Sequence, residues 1–235
     1  DGEVSVELRN GEYIYTPYLN CENYSTESLY NYITKREQII ENKNSGEDGL
    51  YNYGDKLIYR GENVNNYVLF ANKLWRILRI DEKNNIRMIQ DEELGEAIWD
   101  NRYNADVKKS VGYNRFEKSR LQETFEKIYN GNVGEVFSTV DKKYLISDYL
   151  CLDGKSELSF NQNGIIECNT KSQDKYPFTF IDISEYFIAS TDPNCNSFNN
   201  NSCNNYNYLN YYGAYWSMNM YSKNSYQSYY VSRGV

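Results

Sequence analysis

The chain has 235 residues, a formal net charge of -8 and no histidine. Without histidine, the Ser-His-Asp triad, the Cys-His dyad and the HExxH zinc site are excluded. The acidic balance argues against nucleic acid and anionic membranes as partners, because proteins that bind them cluster lysine and arginine. No apolar run approaches the length that spans a bilayer, so we expect no membrane insertion within this chain.

The first 47 residues are predicted to form a hairpin-and-helix appendage to a second unit, residues 48–235. VSVELR and EYIYTPY flank Asn10 and Gly11, a dipeptide favoured in type I′ turns, and this predicts a β-hairpin. Ser25 can cap a helix that runs to about Asn42. The apolar side chains on or near one face of that helix are Leu29, Ile33, Ile39 and Ile40.

Short strands are predicted next, in LYNYG, KLIYRG, NYVLFANKLWRILRI and IRMIQDE. The alternation in LWRILRI puts Leu74 and Leu78 on one face of a strand and Trp75 and Ile77 on the other. We therefore expect a strand that is buried largely on both faces, with Trp75 in the core.

The middle of the chain is predicted to be more helical. Lys118 to Tyr129 has apolar residues at helical spacing, and Asn130-Gly131 follows as a stop. Thr139 to Leu150 is predicted as a second short helix. A hairpin is expected in SELSFNQNGIIE, with its turn at Asn163-Gly164, before the Tyr/Asn-rich strands that end the chain.

Four of the five cysteines bracket short segments. Cys195 and Cys203 enclose an Asn/Ser loop, Cys151 and Cys168 enclose the predicted hairpin, and two disulfides there would suit an oxidising exterior. Free buried thiols are the alternative. No CxxC pair exists, so we expect neither a structural zinc site nor a cofactor. Cys21 is left over, either buried or paired outside this chain.

The segment from Asn194 to Tyr230 consists mostly of asparagine, tyrosine and serine. These residues are typical of recognition surfaces, because tyrosine gives a large rigid face at low entropic cost. The alternative is that A/T-rich codon usage has filled solvent-facing strands with them. Leu209, Trp216, Met218 and Met220 favour order, since they resemble core anchors between the polar positions.

The predicted contact face is drawn from this segment. On a strand, Tyr206 and Tyr208 would share one side and form an exposed ladder. Trp216 is expected in the core. The candidate binding residues are Tyr206, Tyr208, Tyr211, Tyr212, Tyr215, Tyr221, Asn224, Tyr226 and Tyr229.

Asp91, Glu92 and Glu93 form the densest acidic cluster, with Glu96 and Asp100 nearby. Paired carboxylates can perform glycoside hydrolysis, and carboxylate oxygens can hold calcium. A solvated turn is the favoured interpretation, because there is no DxDxDG-type loop. A cysteine nucleophile would lack its usual histidine base. We therefore expect no catalytic residues, no metal and no enzyme activity.

Three stretches resemble one family. They are NNYVLFANKLWRILRI with IRMIQ, then Ile98-Trp99-Asp100, then IDISEYFIASTDPNCNSFNNNSCNNYNYL with YWSMN and SYYVSRGV. In this order they resemble uncharacterised extracellular domains of Firmicutes with the C-type-lectin-like fold of formylglycine-generating (sulfatase-modifying) proteins. The resemblance covers roughly residues 48–235 and implies an α+β domain on the bacterial exterior, displaying a face near its C-terminal strands. The chain lacks the acidic and asparagine motifs of calcium-dependent lectins.

We expect a secreted or cell-surface recognition or adhesion module, not an enzyme, that binds a protein or glycan through the C-terminal Tyr/Asn/Ser-rich face. One alternative is a structural subunit of a pilus or surface filament, in which the same tyrosines would mediate self-association. A second alternative is an enzyme on a lectin-like scaffold.

Overall fold

The computed structural model describes residues 4–9, 12–17, 26–92, 94–134, 136–153, 168, 170–196, 201–212, 215–220 and 228–231. Side chains are described over residues 29–92, 94–134, 136–153, 168, 170–196 and 201–210.

These ranges contain a mixed α+β structure, as the sequence predicts. The strands are β1 (Val4–Arg9), β2 (Glu12–Pro17), β3 (Ile39–Ile40), β4 (Gly49–Tyr53), β5 (Lys56–Arg60), β6 (Tyr67–Phe70), β7 (Lys73–Ile80), β8 (Ile86–Gln90), β9 (Asp148–Cys151), β10 (Lys171–Tyr176), β11 (Tyr215–Met220) and β12 (Ser228–Val231). The α-helices are α1 (Thr26–Arg36), α2 (Arg120–Tyr129) and α3 (Ile183–Ile188). Short 3-10 helices cover Phe116–Lys118, Asp141–Tyr144, Asn201–Asn204 and Tyr208–Tyr212.

The N-terminal hairpin is confirmed, because β1 and β2 pair antiparallel with Arg9 opposite Glu12. The helix that follows is shorter than predicted and ends at Arg36. The reason is tertiary: β3 pairs in parallel with β4 and so cannot continue the helix. Ile33 of α1 is buried in the main core. The predicted boundary at residue 47 therefore falls between two paired strands.

The largest sheet is built around β7. Its strand order is β3-β4-β5-β7-β6, and β8 also pairs with β7. Trp75, Arg76, Ile77 and Leu78 are buried in succession, so β7 is covered on both faces, as predicted. The run NYVLFANKLWRILRI is two strands, because Ala71 and Asn72 both have positive φ in a tight turn between β6 and β7.

A second, aromatic core lies under α2. Ser119 caps this helix by accepting a hydrogen bond from the Gln122 amide, and Leu121 and Phe125 are buried on one face. The Phe125 ring lies 4.5 Å from that of Phe180, centroid to centroid. The predicted helix and the residues that stop it are confirmed, with Asn130 at the C-cap.

The helix predicted from Thr139 to Leu150 is wrong. Only the 3-10 turn Asp141–Tyr144 forms, and β9 pairs antiparallel with β10 from residue 148. Strand pairing with a distant segment has overridden local helix propensity. The predicted hairpin in SELSFNQNGIIE, residues 156–167, lies outside the described residues.

Candidate recognition surface

Helix α3 begins the part of the chain that carries the candidate surface. The Asp182 carboxylate accepts a hydrogen bond from the Ser184 amide at 2.7 Å, and the Glu185 carboxylate accepts one from the Asp182 amide at 3.1 Å. This reciprocal arrangement is a capping box, which satisfies amides that the first helical turn leaves without partners. The helix start is therefore fixed locally by Asp182 and Glu185.

Glu185 also ties α3 to the large sheet. It is only 3 % exposed, and its Oε1 lies 3.0 Å from Nη1 of Arg79 and 2.6 Å from Nε of Arg87. Burial alone would raise the pKa of Glu185, but the guanidinium groups of Arg87 and Arg79 outweigh it and lower that pKa. Glu185 therefore contributes stability above its unfolded-state pKa that is lost as the pH falls through its folded-state pKa.

In the wild-type protein, Asp182 is expected to lower the free energy of unfolding as the pH rises. We expect Asp182→Asn to abolish this pH dependence. Burial, and then the Glu185 charge, raise the pKa of Asp182, so the folded protein keeps a proton that the unfolded chain releases near about pH 4. The contribution of Asp182 to the free energy of unfolding must fall as the pH rises from there through its folded-state pKa. Asparagine preserves the N-cap acceptor without ionising.

Urea unfolding of both proteins at a series of pH values checks this expectation. Wild type should lose stability relative to Asp182→Asn across the window from about pH 4 upward. Parallel profiles for the two proteins would show that Asp182 does not titrate above its ordinary range.

The loop that follows α3 is anchored to β5. Arg60 donates from Nε to the Ile188 carbonyl at 2.8 Å and from Nη2 to the Ser190 carbonyl at 2.7 Å. The Gly61 amide donates to the Ala189 carbonyl at 2.9 Å. The start of the loop is thereby held by residues that lie far away in sequence.

Asn207 fixes the far side of the same loop. It is 4 % exposed, and its Nδ2 donates to the carbonyls of Tyr186 at 2.8 Å and Cys203 at 2.9 Å. Its Oδ1 accepts a hydrogen bond from the Leu209 amide at 3.0 Å. A buried amide that meets three backbone groups holds one loop conformation, since losing it would leave those groups unpaired.

Tyr206 lies at the surface of this loop and is 57 % exposed. Its backbone is left-handed, with φ +46°, a conformation that costs a residue with a Cβ about 1–2 kcal/mol. The Thr191 amide donates to the Tyr206 carbonyl at 3.1 Å, and the Ser190 hydroxyl donates to the Asn205 carbonyl at 2.7 Å. The surrounding loop therefore enforces a strained backbone beneath an exposed aromatic ring.

The predicted exposed ladder of Tyr206 and Tyr208 is wrong. Tyr206 lies in a turn and Tyr208 begins a 3-10 helix, so the two do not share a strand face. Tyr208 is only 2 % exposed and its ring lies 4.6 Å from the Arg76 guanidinium. Burial raises the pKa of Tyr208 above its ordinary range. Tyr208 is thus a core residue and is not part of the candidate contact face.

The other predicted binding residues lie where no side chain is described. Tyr211 and Tyr212 belong to the 3-10 helix that begins at Tyr208, Tyr215 to β11 and Tyr229 to β12. Tyr221, Asn224 and Tyr226 lie outside the described residues. β11 and β12 confirm strands at the Tyr-rich end of the chain. Trp75 is in the core as predicted, while the Trp216 side chain is not among those described.

We expect the free energy of unfolding of Tyr206→Gly to exceed that of Tyr206→Ala by about 1 kcal/mol. The reason is that glycine adopts the left-handed region without the Cβ clash. Denaturant unfolding of the two variants measures the effect of the backbone conformation alone, because both variants lack the tyrosine ring. Tyr103, which is 59 % exposed and not left-handed, is the matched control. The order of stability should reverse there, and the same order at both sites would contradict a strained Tyr206 backbone.

The acidic cluster does not converge. Glu92 and Glu96 are exposed, while Asp91 is buried and Glu93 lies outside the described residues. Asp100 binds Arg102 at 2.9 Å; burial opposes its ionisation, but hydrogen bonds from Arg102 and from the Tyr113 amide lower its pKa. Over the described side chains these carboxylates form no group of three within metal-binding reach. The solvated-turn interpretation fits Glu92 and Glu96.

Both predicted disulfides are present. Cys151 pairs with Cys168, 17 positions on, and Cys195 pairs with Cys203, 8 positions on. Such short-range disulfides are typical of proteins that mature in an oxidising compartment. The fifth cysteine, Cys21, lies outside the described residues. The Cys195–Cys203 bond closes the segment that ends three residues before Tyr206.

One further local pattern in the sequence marks this site. Asp182-Ile-Ser-Glu185 has the spacing of a capping box and marks the start of α3. Asn207 had no comparable signal, since it is one of many asparagines in the same segment. Arg60 could not be linked to the loop by any local pattern.

Comparison of the chain with protein-family models, with curated proteins and with solved structures finds no match. Across the helices that the structure describes, none combines the length and apolar character needed to cross a bilayer.

Proposed function

We propose that this chain is a secreted or surface-attached, non-enzymatic recognition module that binds a protein or glycan. Its contact region, the Tyr206 surface, is defined as the exposed residues among those that the structure describes in the loop around the Cys195–Cys203 disulfide. These residues are Pro193, Asn194, Asn196, Asn201, Asn205 and Tyr206. The C-type-lectin-like fold and the bacterial cell surface, both expected from the sequence resemblance, are parts of this proposal.

The observation that carries the proposal is the display of Tyr206 on a fixed loop. Tyr206 is 57 % exposed although its backbone is left-handed, and a disulfide, Asn207 and Arg60 hold the surrounding chain. A rigid aromatic side chain loses little conformational freedom on binding, so more of its contact energy appears as affinity. Strained backbone held by its surroundings is common at ligand-contact sites.

The chemistry of the surface suits a neutral, polar ligand with flat apolar faces. Tyrosine combines a ring for stacking with a hydroxyl for hydrogen bonding. The neighbouring asparagines supply amide donors and acceptors, and Asn205 is oriented by donating to Asp192 at 2.7 Å. Sugar rings and exposed protein loops both offer this combination.

Glycan and protein arrays probed with labelled wild type, Tyr206→Ala and Tyr103→Ala test the proposal. Tyr103→Ala is the matched control, since Tyr103 is as exposed as Tyr206 but lies elsewhere. We expect the signal of a specific ligand to fall with Tyr206→Ala and to persist with Tyr103→Ala. Equal signals for all three proteins on every ligand would overturn the proposal.

Sedimentation across micromolar concentrations separates this function from the filament alternative. A recognition module should remain monomeric, whereas a filament subunit should self-associate. Concentration-dependent assembly that Tyr206→Ala abolishes would assign the same surface to packing between copies of this chain.

A further inference from the structure

Two cysteines and a carboxylate lie close together at the end of β9, outside the Tyr206 surface. The Sγ atoms of Cys151 and Cys168 and a carboxylate oxygen of Asp153 all lie within 4.8 Å of one another. Asp153 is 1 % exposed. A carboxylate this close to two sulfur atoms is unnecessary for a disulfide, but it is a ligand that metal ions use together with thiolates.

Strand pairing and two hydrogen bonds bring Cys151 and Asp153 beside Thr170 and Lys171, the segment that follows Cys168. Cys151 is opposite Lys171 in the antiparallel pairing of β9 and β10. Beyond it, the Leu152 amide donates to the Thr170 carbonyl at 2.8 Å, and the Thr170 amide donates to Oδ1 of Asp153 at 3.1 Å. Asp153 follows Cys151 by two positions, just past the end of β9, and its carboxylate oxygen lies within 4.8 Å of the Cys151 Sγ. These contacts involve no sulfur atom, so reduction of the disulfide does not itself remove them.

We propose that in the thiol form of the chain Cys151, Cys168 and Asp153 bind one divalent cation of the zinc type. Every newly made chain carries its cysteines as thiols before any disulfide forms. The cation binds the two thiolates and the carboxylate, and the two thiol protons are released to solvent. Thiolate ligands favour zinc over calcium and magnesium, which prefer oxygen alone. Loss of the cation then leaves the thiols ready for oxidation.

The geometry of the cysteine pair permits this change. The two Cα atoms are 5.7 Å apart, and rotation about the Cα–Cβ bonds can separate the sulfur atoms enough for each to bind one ion. With three protein ligands and zinc's tetrahedral preference, one position remains for water or another ligand. The absence of a CxxC motif hid this site in the sequence, because Cys168 approaches through space.

The second disulfide provides an internal control. Over the described side chains, Cys195 and Cys203 belong to no comparable group with a carboxylate. Reduction converts both cysteine pairs to thiols. The two pairs then differ in the neighbouring carboxylate, which only the Cys151–Cys168 pair has among the described side chains. All proteins in the test carry Cys21→Ser to remove the fifth thiol.

The test measures Co²⁺ and Zn²⁺ binding to the fully reduced protein in a phosphine reductant. The phosphine supplies the two electrons that open each disulfide and becomes a phosphine oxide, while water supplies that oxygen and the thiol protons. We expect one ion per reduced chain, with thiolate-to-cobalt absorption, and none per oxidised chain. Cys151→Ser/Cys168→Ser should abolish this binding, and Cys195→Ser/Cys203→Ser should leave it intact.

Asp153→Asn tests the carboxylate. Loss of even an outer-shell partner weakens metal binding by about 10–100-fold, so loss of a direct ligand should weaken it by about tenfold or more. Far-ultraviolet circular dichroism of each reduced variant shows whether it is folded, and Asp153→Glu should restore part of the affinity. Binding that survives Cys151→Ser/Cys168→Ser, or that is no tighter than binding at Cys195 and Cys203, would overturn the proposal.

Discussion

Glu185→Gln is expected to lower the free energy of unfolding by about 3 kcal/mol, the largest effect of any single substitution considered for this chain. Glutamine keeps the size of the side chain and removes its charge. The guanidinium groups of Arg79 and Arg87, now at 3.0 and 2.6 Å from Glu185, would then face each other without the anion that holds them. Both arginine side chains are 27 % exposed, so water can solvate them in part when the carboxylate is gone. We therefore expect a loss of stability at the lower end of the range for broken buried ion pairs.

Urea unfolding monitored by tryptophan fluorescence measures this effect, and an unchanged m-value would show that the variant unfolds from the same native state. Glu82→Gln is the control, because Glu82 is exposed in the turn between β7 and β8 and should change stability by less than about 0.5 kcal/mol. Equal stabilities of the two variants would mean that Glu185 does not hold α3 on the sheet.

Cys195→Ser/Cys203→Ser is expected to lower the free energy of unfolding by about 2.5 kcal/mol and to weaken ligand binding. The stability loss follows from the loop-entropy relation for cysteines 8 positions apart. The binding loss follows because this bond restrains the chain of the Tyr206 surface just before Tyr206, so the free protein would sample conformations that do not bind.

Cys151→Ser/Cys168→Ser is the matched control. Its cysteines are 17 positions apart, so the same relation predicts a somewhat larger loss of stability, about 3 kcal/mol. Ligand binding should nevertheless be retained, because this disulfide is not part of the loop that forms the Tyr206 surface. Denaturant unfolding and a binding titration on both variants separate the two effects. Binding that falls in proportion to stability in both variants would contradict a specific role for Cys195 and Cys203.

Elements with strong local patterns could be predicted from the sequence. The alternation in β7, the spacing of Leu121 and Phe125 in α2 and the Asn10-Gly11 turn signal each reflect contacts between near neighbours in the chain. Prediction failed where distant pairing decides the structure. Ile39 and Ile40 were predicted to extend α1, but pairing with β4 makes them a strand.

The candidate surface could be located only in part. The Asn/Tyr-rich segment and the Cys195–Cys203 pair predicted the region in which Tyr206 is exposed. The period-two interpretation then failed at Tyr208, because the left-handed turn at Tyr206 and the buried side chain of Asn207 redirect the chain inward. Contacts such as Arg60 to Ser190 join residues 130 positions apart, which local patterns cannot predict.

The most direct test of the Tyr206 surface is the dissociation constant of an array-identified ligand for wild type, Tyr206→Ala and Tyr103→Ala, measured by calorimetry. An aromatic anchor at the centre of a contact is worth about 2 kcal/mol, so Tyr206→Ala should raise the dissociation constant about 30-fold. Tyr103→Ala should leave it within about twofold of the wild-type value. Equal dissociation constants for wild type and Tyr206→Ala would contradict the assignment of this loop as the binding surface.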